Sequence, residues 1–218
     1  MGTITRSLSN NITTGGVILP AGITNSSVSA VTSFANASGA TLMLLSTQTA
    51  SNSATISFTT GLDSTYDAYE FHFIDIHPRT DGAYLTFNMS TDSGSNYNVT
   101  KTTTVFNAQN SEADTDAGIS YQSAQDLAQS TGFQIIMLGI GNGADESATG
   151  TLELFNPSST TYVKHFISRT NIYYDANYNF QYFVAGYGNT TSAVNAIQFK
   201  MNSGNFDGDI KLYGVKKS

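Results

Sequence analysis

The sequence contains no cysteine and no tryptophan, and only 9 of its 218 residues are lysine or arginine. Without cysteine there is neither a disulfide framework nor a thiolate metal site, and the composition carries no signature of redox compartment. The shortage of cations, with a formal net charge of −7, argues against nucleic-acid binding, which needs Lys and Arg to displace phosphate counterions. Charged residues of both signs make up 11% of the chain, against about 25% in an ordinary soluble domain. No apolar run approaches the length of a membrane span, and the opening MGTITRSLSNN lacks the apolar h-region of a signal peptide. The sequence therefore predicts neither membrane insertion nor export by an ordinary signal. Release inside a particle by cell lysis fits both.

Ser, Thr, Asn and Gly take the place of charge, while 12 Tyr and 13 Phe supply bulk. Hydroxyl and amide surfaces around aromatic cores suit extracellular β proteins and particle components. Few charges also leave surface that can pack against another protein without a large desolvation penalty. The chain is long enough to bury a substantial core as one domain. Residues 1–40 stand apart, because twenty-two of those forty are Gly, Ser, Thr or Asn. That segment is too polar for a core and too weakly charged for a solvated tail. It is expected to be an extended arm ordered against a neighbour, with a flexible leader as the alternative. Residues 41–218 form the expected single domain.

Residues 42–78 are the most informative stretch. Apolar residues fall at alternate positions through Ile56 and Phe58, and again through Tyr69, Phe71 and Phe73, the period of a strand with one buried face. Strand signals continue at 42–48, 54–60, 68–77, 83–90, 97–107, 133–139, 149–155, 162–170, 181–187, 194–201 and 209–215. Thr80-Asp81-Gly82, Asp92-Ser93-Gly94, Gly141-Asn142-Gly143, Asn156-Pro157 and Asp207-Gly208 punctuate them as turns. Residues 120–130, SYQSAQDLAQS, have no β-branched residue and are expected to form a short helix. There is no internal repeat of propeller or β-helix period. The expected fold is all-β, an antiparallel β-sandwich of jelly-roll type with one short helix and the N-terminal arm.

Candidate chemistry is sparse. His72 and His77 are five apart, which on an unbroken strand places them on opposite faces, and His165 reads as another strand position. Gly-x-Ser-x-Gly is absent, so nothing marks a nucleophilic serine. Most carboxylates lie beside Gly, Ser or Asn in loops. Glu70 and Asp75 are expected on opposite faces, and Glu153 outward between Leu152 and Leu154. Without tryptophan to make flat sugar subsites, a glycosidase pair is not indicated. Glu112, Asp114 and Asp116 alternate before Gly118, an oxygen spacing used by calcium loops. The residue six after Gly118 is Ala124, which departs from the EF-hand pattern, and a plain acidic loop is the simpler reading. Six Asn-x-Ser/Thr sequons are attributed to composition. Among the clustered aromatics, Phe180 and Phe183 are expected in the core, while Tyr173, Tyr174 and Tyr178 are candidates for contact with a glycan or partner. Lys200, Lys211, Lys216 and Lys217 suggest a solvated basic tail. No cofactor is implied.

The runs LLSTQTASNSATISFTTGLDSTYDAYEFHFIDIHP, STDSGSNYNVTKTTT, FNPSSTTYVKHFISR and the closing GDIKLYGVKK together resemble small virion proteins of tailed bacteriophages, especially those of aquatic hosts. The likeness spans roughly residues 42–215 and carries no site motif. It implies a non-enzymatic virion component: a capsid decoration or cement protein, or a tail or tail-fibre part that touches the host. It also implies contact with other virion proteins and with copies of the chain itself, a homotrimer being expected. A carbohydrate-binding adhesin or receptor-binding fibre tip, recognising a host surface glycan, is the alternative.

Overall fold

The computed structural model describes residues 42–215; the expected arm, residues 1–40, lies outside them. Twelve strands run through the described chain: β1 (Leu42–Ser53), β2 (Thr55–Phe58), β3 (Ala68–Pro78), β4 (Ala83–Ser90), β5 (Lys101–Ser111), β6 (Ala117–Tyr121), β7 (Gln134–Ile140), β8 (Ala148–Phe155), β9 (Lys164–Tyr174), β10 (Tyr178–Gly188), β11 (Ala196–Met201) and β12 (Phe206–Val215). All eleven expected strands are present, and β6 is a twelfth that residue pattern alone did not disclose.

The strands join one antiparallel sheet in the order β1-β12-β3-β8-β9-β7-β4-β11-β2, with β10, β5 and β6 branching from β9. The join from β9 to β7 is a single bridge, Ile140 to Tyr174. The sheet is nearly closed into a barrel. Where its ends meet, Gln48 of β1 donates a 2.7 Å hydrogen bond to the Ser57 carbonyl of β2.

Alternation fixes which face is buried. In β3, Tyr69, Phe71, Phe73 and Ile76 enter the core, and in β9 Phe166 and Ile172 do so. The centre is aromatic. Phe199 meets Phe58, Phe71 and Phe73 edge-on at 6.3, 5.3 and 5.2 Å, and Phe87 meets Phe166 at 5.0 Å. Such edge-to-face pairs put positive ring edges on negative ring faces, beyond the gain from burial.

Three local expectations are corrected. First, a bulge at Asp75 (φ 51) resets the alternation of β3. His72 and His77, expected on opposite faces, consequently both project from the outer side, as Glu70 does. Second, Asp207-Gly208-Asp209 is not a turn but a matching bulge inside β12. A side chain on Gly208 (φ 124) would sit 2.6 Å from the Asp75 carbonyl, so the two bulges nest only because position 208 has no Cβ. Third, there is no helix at 120–130. Ser120 and Tyr121 end β6, and the rest turns along β5, where the Val105 carbonyl accepts from the Gln122 amide and Thr103 Oγ1 accepts from the Leu127 amide. The Gln134 side chain also donates to the Gln125 carbonyl. The segment closes a single turn, in which the Gln122 carbonyl accepts from the Gln125 and Asp126 amides, and its bonds to β5 and Gln134 leave no ladder of further turns.

That crossing segment covers a polar layer. Lys101, Thr103, Asn107 and Gln134 are buried and bonded to it, and Thr86 and Asn88 are buried on neighbouring β4. Of the four lysines expected in a basic tail, Lys200 and Lys211 belong to strands, with Lys200 4.1 Å over the Phe133 ring, and Lys216 and Lys217 lie outside the described residues.

Candidate functional site

One face of the sheet carries Tyr173 and its neighbours. Along β9 the outward positions are His165, Ile167, Arg169, Asn171 and Tyr173. Their partners on β10 are Tyr187, Ala185, Phe183, Gln181 and Asn179, which in turn pair with Thr102, Thr104, Phe106, Ala108 and Asn110 of β5. The rows run from amides at one end through Arg169, Phe183 and Phe106 to Ile167, Ala185 and Thr104, and end on His165, Tyr187 and Thr102.

At the amide end lies a recess of about 340 Å³ lined by Asn110, Glu112, Asp145, Asn171, Tyr173, Tyr178 and neighbours. Three loops build it. The Glu112 amide, at the β5–β6 turn, donates to the Asn177 carbonyl in the β9–β10 turn, and the Tyr173 amide donates to the Ser147 carbonyl after the β7–β8 loop. The fold thus unites Glu112 with Tyr173 and Tyr178, residues singled out for separate reasons. Asp145 and the three asparagines were not foreseen, because isolated amides and a loop acid give no sequence signal.

The three tyrosines divide in role. The Tyr173 hydroxyl donates to Asn177 Oδ1 at 3.3 Å. The nearby Glu112 carboxylate raises its pKa first, then burial, with Glu146 and Asp145 adding to the effect. Tyr174 packs inward, stacked on Phe180 at 4.3 Å and 9°. Gly139 (φ 64) passes directly under its ring. Tyr178 packs against the core while its hydroxyl reaches Asp116; burial first, then that carboxylate, raises its pKa. Phe180 is in the core as expected. Phe183 is not: it lies on the outer face, stacked on Phe106 at 4.7 Å and 11°.

The acidic run does not gather around a point. Asp114 sits at φ 53 in the turn, Asp116 accepts from the Gln109 side chain at 3.0 Å, and Glu112 lines the recess with Tyr173. Among the described residues, no three His, Asp or Glu groups converge as metal ligands. Asp81, Glu146 and Asp175 lie in neighbouring loops, and burial followed by these two neighbours raises the pKa of Asp175. Glu112 and Asp145 share the recess, but both are solvent-exposed. Neither has the apolar enclosure that holds a glycosidase general acid protonated.

Farther along the face a shallow apolar recess of about 500 Å³ is lined by Thr102, Thr104, Phe155, Ile167, Ala185 and Tyr187. Between it and β6, Phe106 (42% exposed), Ile119 (78%), Tyr121 (55%) and Ile167 (51%) present apolar surface to solvent. Among the described residues, no helix is long and apolar enough to cross a membrane. Comparison with protein-family models, curated proteins and solved structures returns no match.

Proposed function

We propose that the chain is a non-enzymatic structural component of a bacteriophage virion, a capsid decoration or a tail-associated protein held by contacts with neighbouring virion proteins and its own copies. The observation that carries this reading is the apolar surface of the β9–β10–β5–β6 face, where Tyr121, Phe106 and Phe183 form one aromatic row. Contiguous exposed apolar surface marks an interaction site, and the low charge of the chain reduces what must be desolvated there. The phage-like runs in the sequence point the same way, and the sandwich-like packing expected of such proteins belongs to the same reading. Mass spectrometry of purified particles tests it. The chain is expected at a fixed copy number per particle.

A second reading is supported by the amide-rich recess. Asn110, Asn171, Asn179, Glu112 and Asp145 offer donors and acceptors beside the Tyr173 ring, the groups that recognise a saccharide's hydroxyls and its apolar face. A receptor-binding role toward a host surface glycan would use this recess. A glycan array with the wild-type chain and Tyr173→Ala separates the readings: glycan capture abolished by the substitution supports recognition, and a blank array supports a purely structural role.

A further inference from the structure

β6 is a free edge. Its register with β5 pairs Phe106 with Tyr121 and Ala108 with Ile119, and among the described residues no other strand pairs with it. The phase of its hydrogen bonds is fixed at both ends. The Ser111 amide donates to the Asp116 carbonyl at 2.8 Å, and the Gln122 amide donates to the Val105 carbonyl at 2.9 Å. In an antiparallel ladder every second residue bonds the partner strand. Gly118 and Ser120 therefore turn their amides and carbonyls toward β5. Ala117, Ile119 and Tyr121 turn theirs to the open side.

Sheet proteins normally guard such an edge with lysine, proline, a bulge or a covering segment. The sequence Ala-Gly-Ile-Ser-Tyr carries no charge and no proline, pairs without a register shift, and is exposed along its whole length. Its outward side chains continue the aromatic row of β5 and β10.

We propose that β6 pairs edge to edge with β6 of a second copy, antiparallel about a two-fold axis at Ile119. This names the partner for the assembly reading above and rests on it. The occupant is chosen by hydrogen-bond phase and charge. Centred on Ile119, Ala117 falls opposite Tyr121 of the second copy, and every outward amide and carbonyl finds its complement in about six new bonds. The acidic turn then discriminates the direction. In the antiparallel register Asp116 faces Gln122 of the second copy, and Asp114 projects toward its Ala124. A parallel pair would set Asp114 and Asp116 beside their own copies, like charges on adjacent strands. A two-fold contact is self-complementary and closes as a dimer, so it is an alternative to the three-fold arrangement.

The test is sedimentation of the full-length chain over a micromolar concentration range. A dimer is expected, and dissociation at least about tenfold easier in Ile119→Lys, which sets two cations against each other across the axis. Ile119→Pro removes an amide that β5 does not use, so it is expected to be monomeric with an unchanged near-UV spectrum. In case that variant fails to fold, Ile119→Cys gives an independent readout. The chain has no cysteine of its own, so a disulfide-linked dimer is expected there and not in Ser192→Cys, at an exposed site between β10 and β11. A monomeric wild type overturns the proposal. So does a dimer or trimer indifferent to Ile119→Lys, although that result leaves the particle reading standing. Absence of the chain from particles would sink the particle reading while the β6 result stood on its own.

Discussion

Lys101 Nζ donates a 2.5 Å hydrogen bond to Asn88 Oδ1, and the lysine is fully buried. Its other partner is the Val99 carbonyl at 2.8 Å, so the ammonium is held by neutral dipoles. Desolvation pushes its pKa down from 10.5 to about 7. Across Gly188 of β10, which pairs with both residues, Lys164 is buried in the same manner, donating to the Tyr162 carbonyl at 2.6 Å with its pKa also lowered by burial.

A pH dependence follows. The folded pKa of Lys101 lies below the unfolded one, so between about 7 and 10.5 the unfolded chain binds the extra proton. Stability from this group rises with pH across that window, and the penalty is fully present below about 7. Urea denaturation of wild type and Lys101→Met should show the variant gaining on wild type at pH 6, by on the order of a few kcal/mol, with the gap shrinking toward pH 10. A gap that widens with pH would contradict the assignment.

Tyr182 is fully buried, and its hydroxyl has no partner among the described residues. Tyr182→Phe removes an unpaired polar atom and leaves the ring in place. The midpoint of urea unfolding should stay level or rise, by about 1 kcal/mol of stability. A loss of more than about 1 kcal/mol would show that the hydroxyl is bonded.

Phe199 joins rings from β2, β3 and β4 at the centre of the barrel. Phe199→Ala leaves a cavity lined by stiff aromatics, and a cost of about 3–5 kcal/mol is expected in thermal or urea unfolding. A cost under about 1 kcal/mol would mean that the core collapses freely around the gap.

Gly139→Ala places a methyl against the Tyr174 ring at a backbone φ of 64. Strain and ring displacement together should lower stability by about 1–3 kcal/mol. The shift should also disturb the adjacent Tyr173, visible as a perturbed near-UV tyrosine spectrum. An unperturbed spectrum would uncouple the packing of Tyr174 from the recess.

Much of the strand framework was legible because strands such as β3 and β9 turn one side to water, and alternation such as Tyr69-Phe71-Phe73 records that. β4 and β7 are buried on both faces, and β7 shows instead as a short apolar run. β6 was not legible, since Ala-Gly-Ile-Ser-Tyr is short and exposed on both faces, leaving no burial to imprint a period. Phe183 was misplaced because an aromatic at an alternate position signals the core unless another aromatic, here Phe106, covers it from outside. The bulge at Asp75 was invisible because the glycine it nests against, Gly208, is adjacent in the sheet but distant in sequence. The recess was half legible. Tyr173 and Glu112 stood out by composition, but only the loop-to-loop hydrogen bonds bring them together.

The proposed role rests on the chain being part of a particle. Quantitative mass spectrometry of gradient-purified particles, assembled from the genome that encodes this chain, decides it. The expected result is peptides from residues 42–215 co-sedimenting with the particle at a constant ratio to its major shell protein. Peptides confined to the soluble fraction, with none in the particle band, would contradict it.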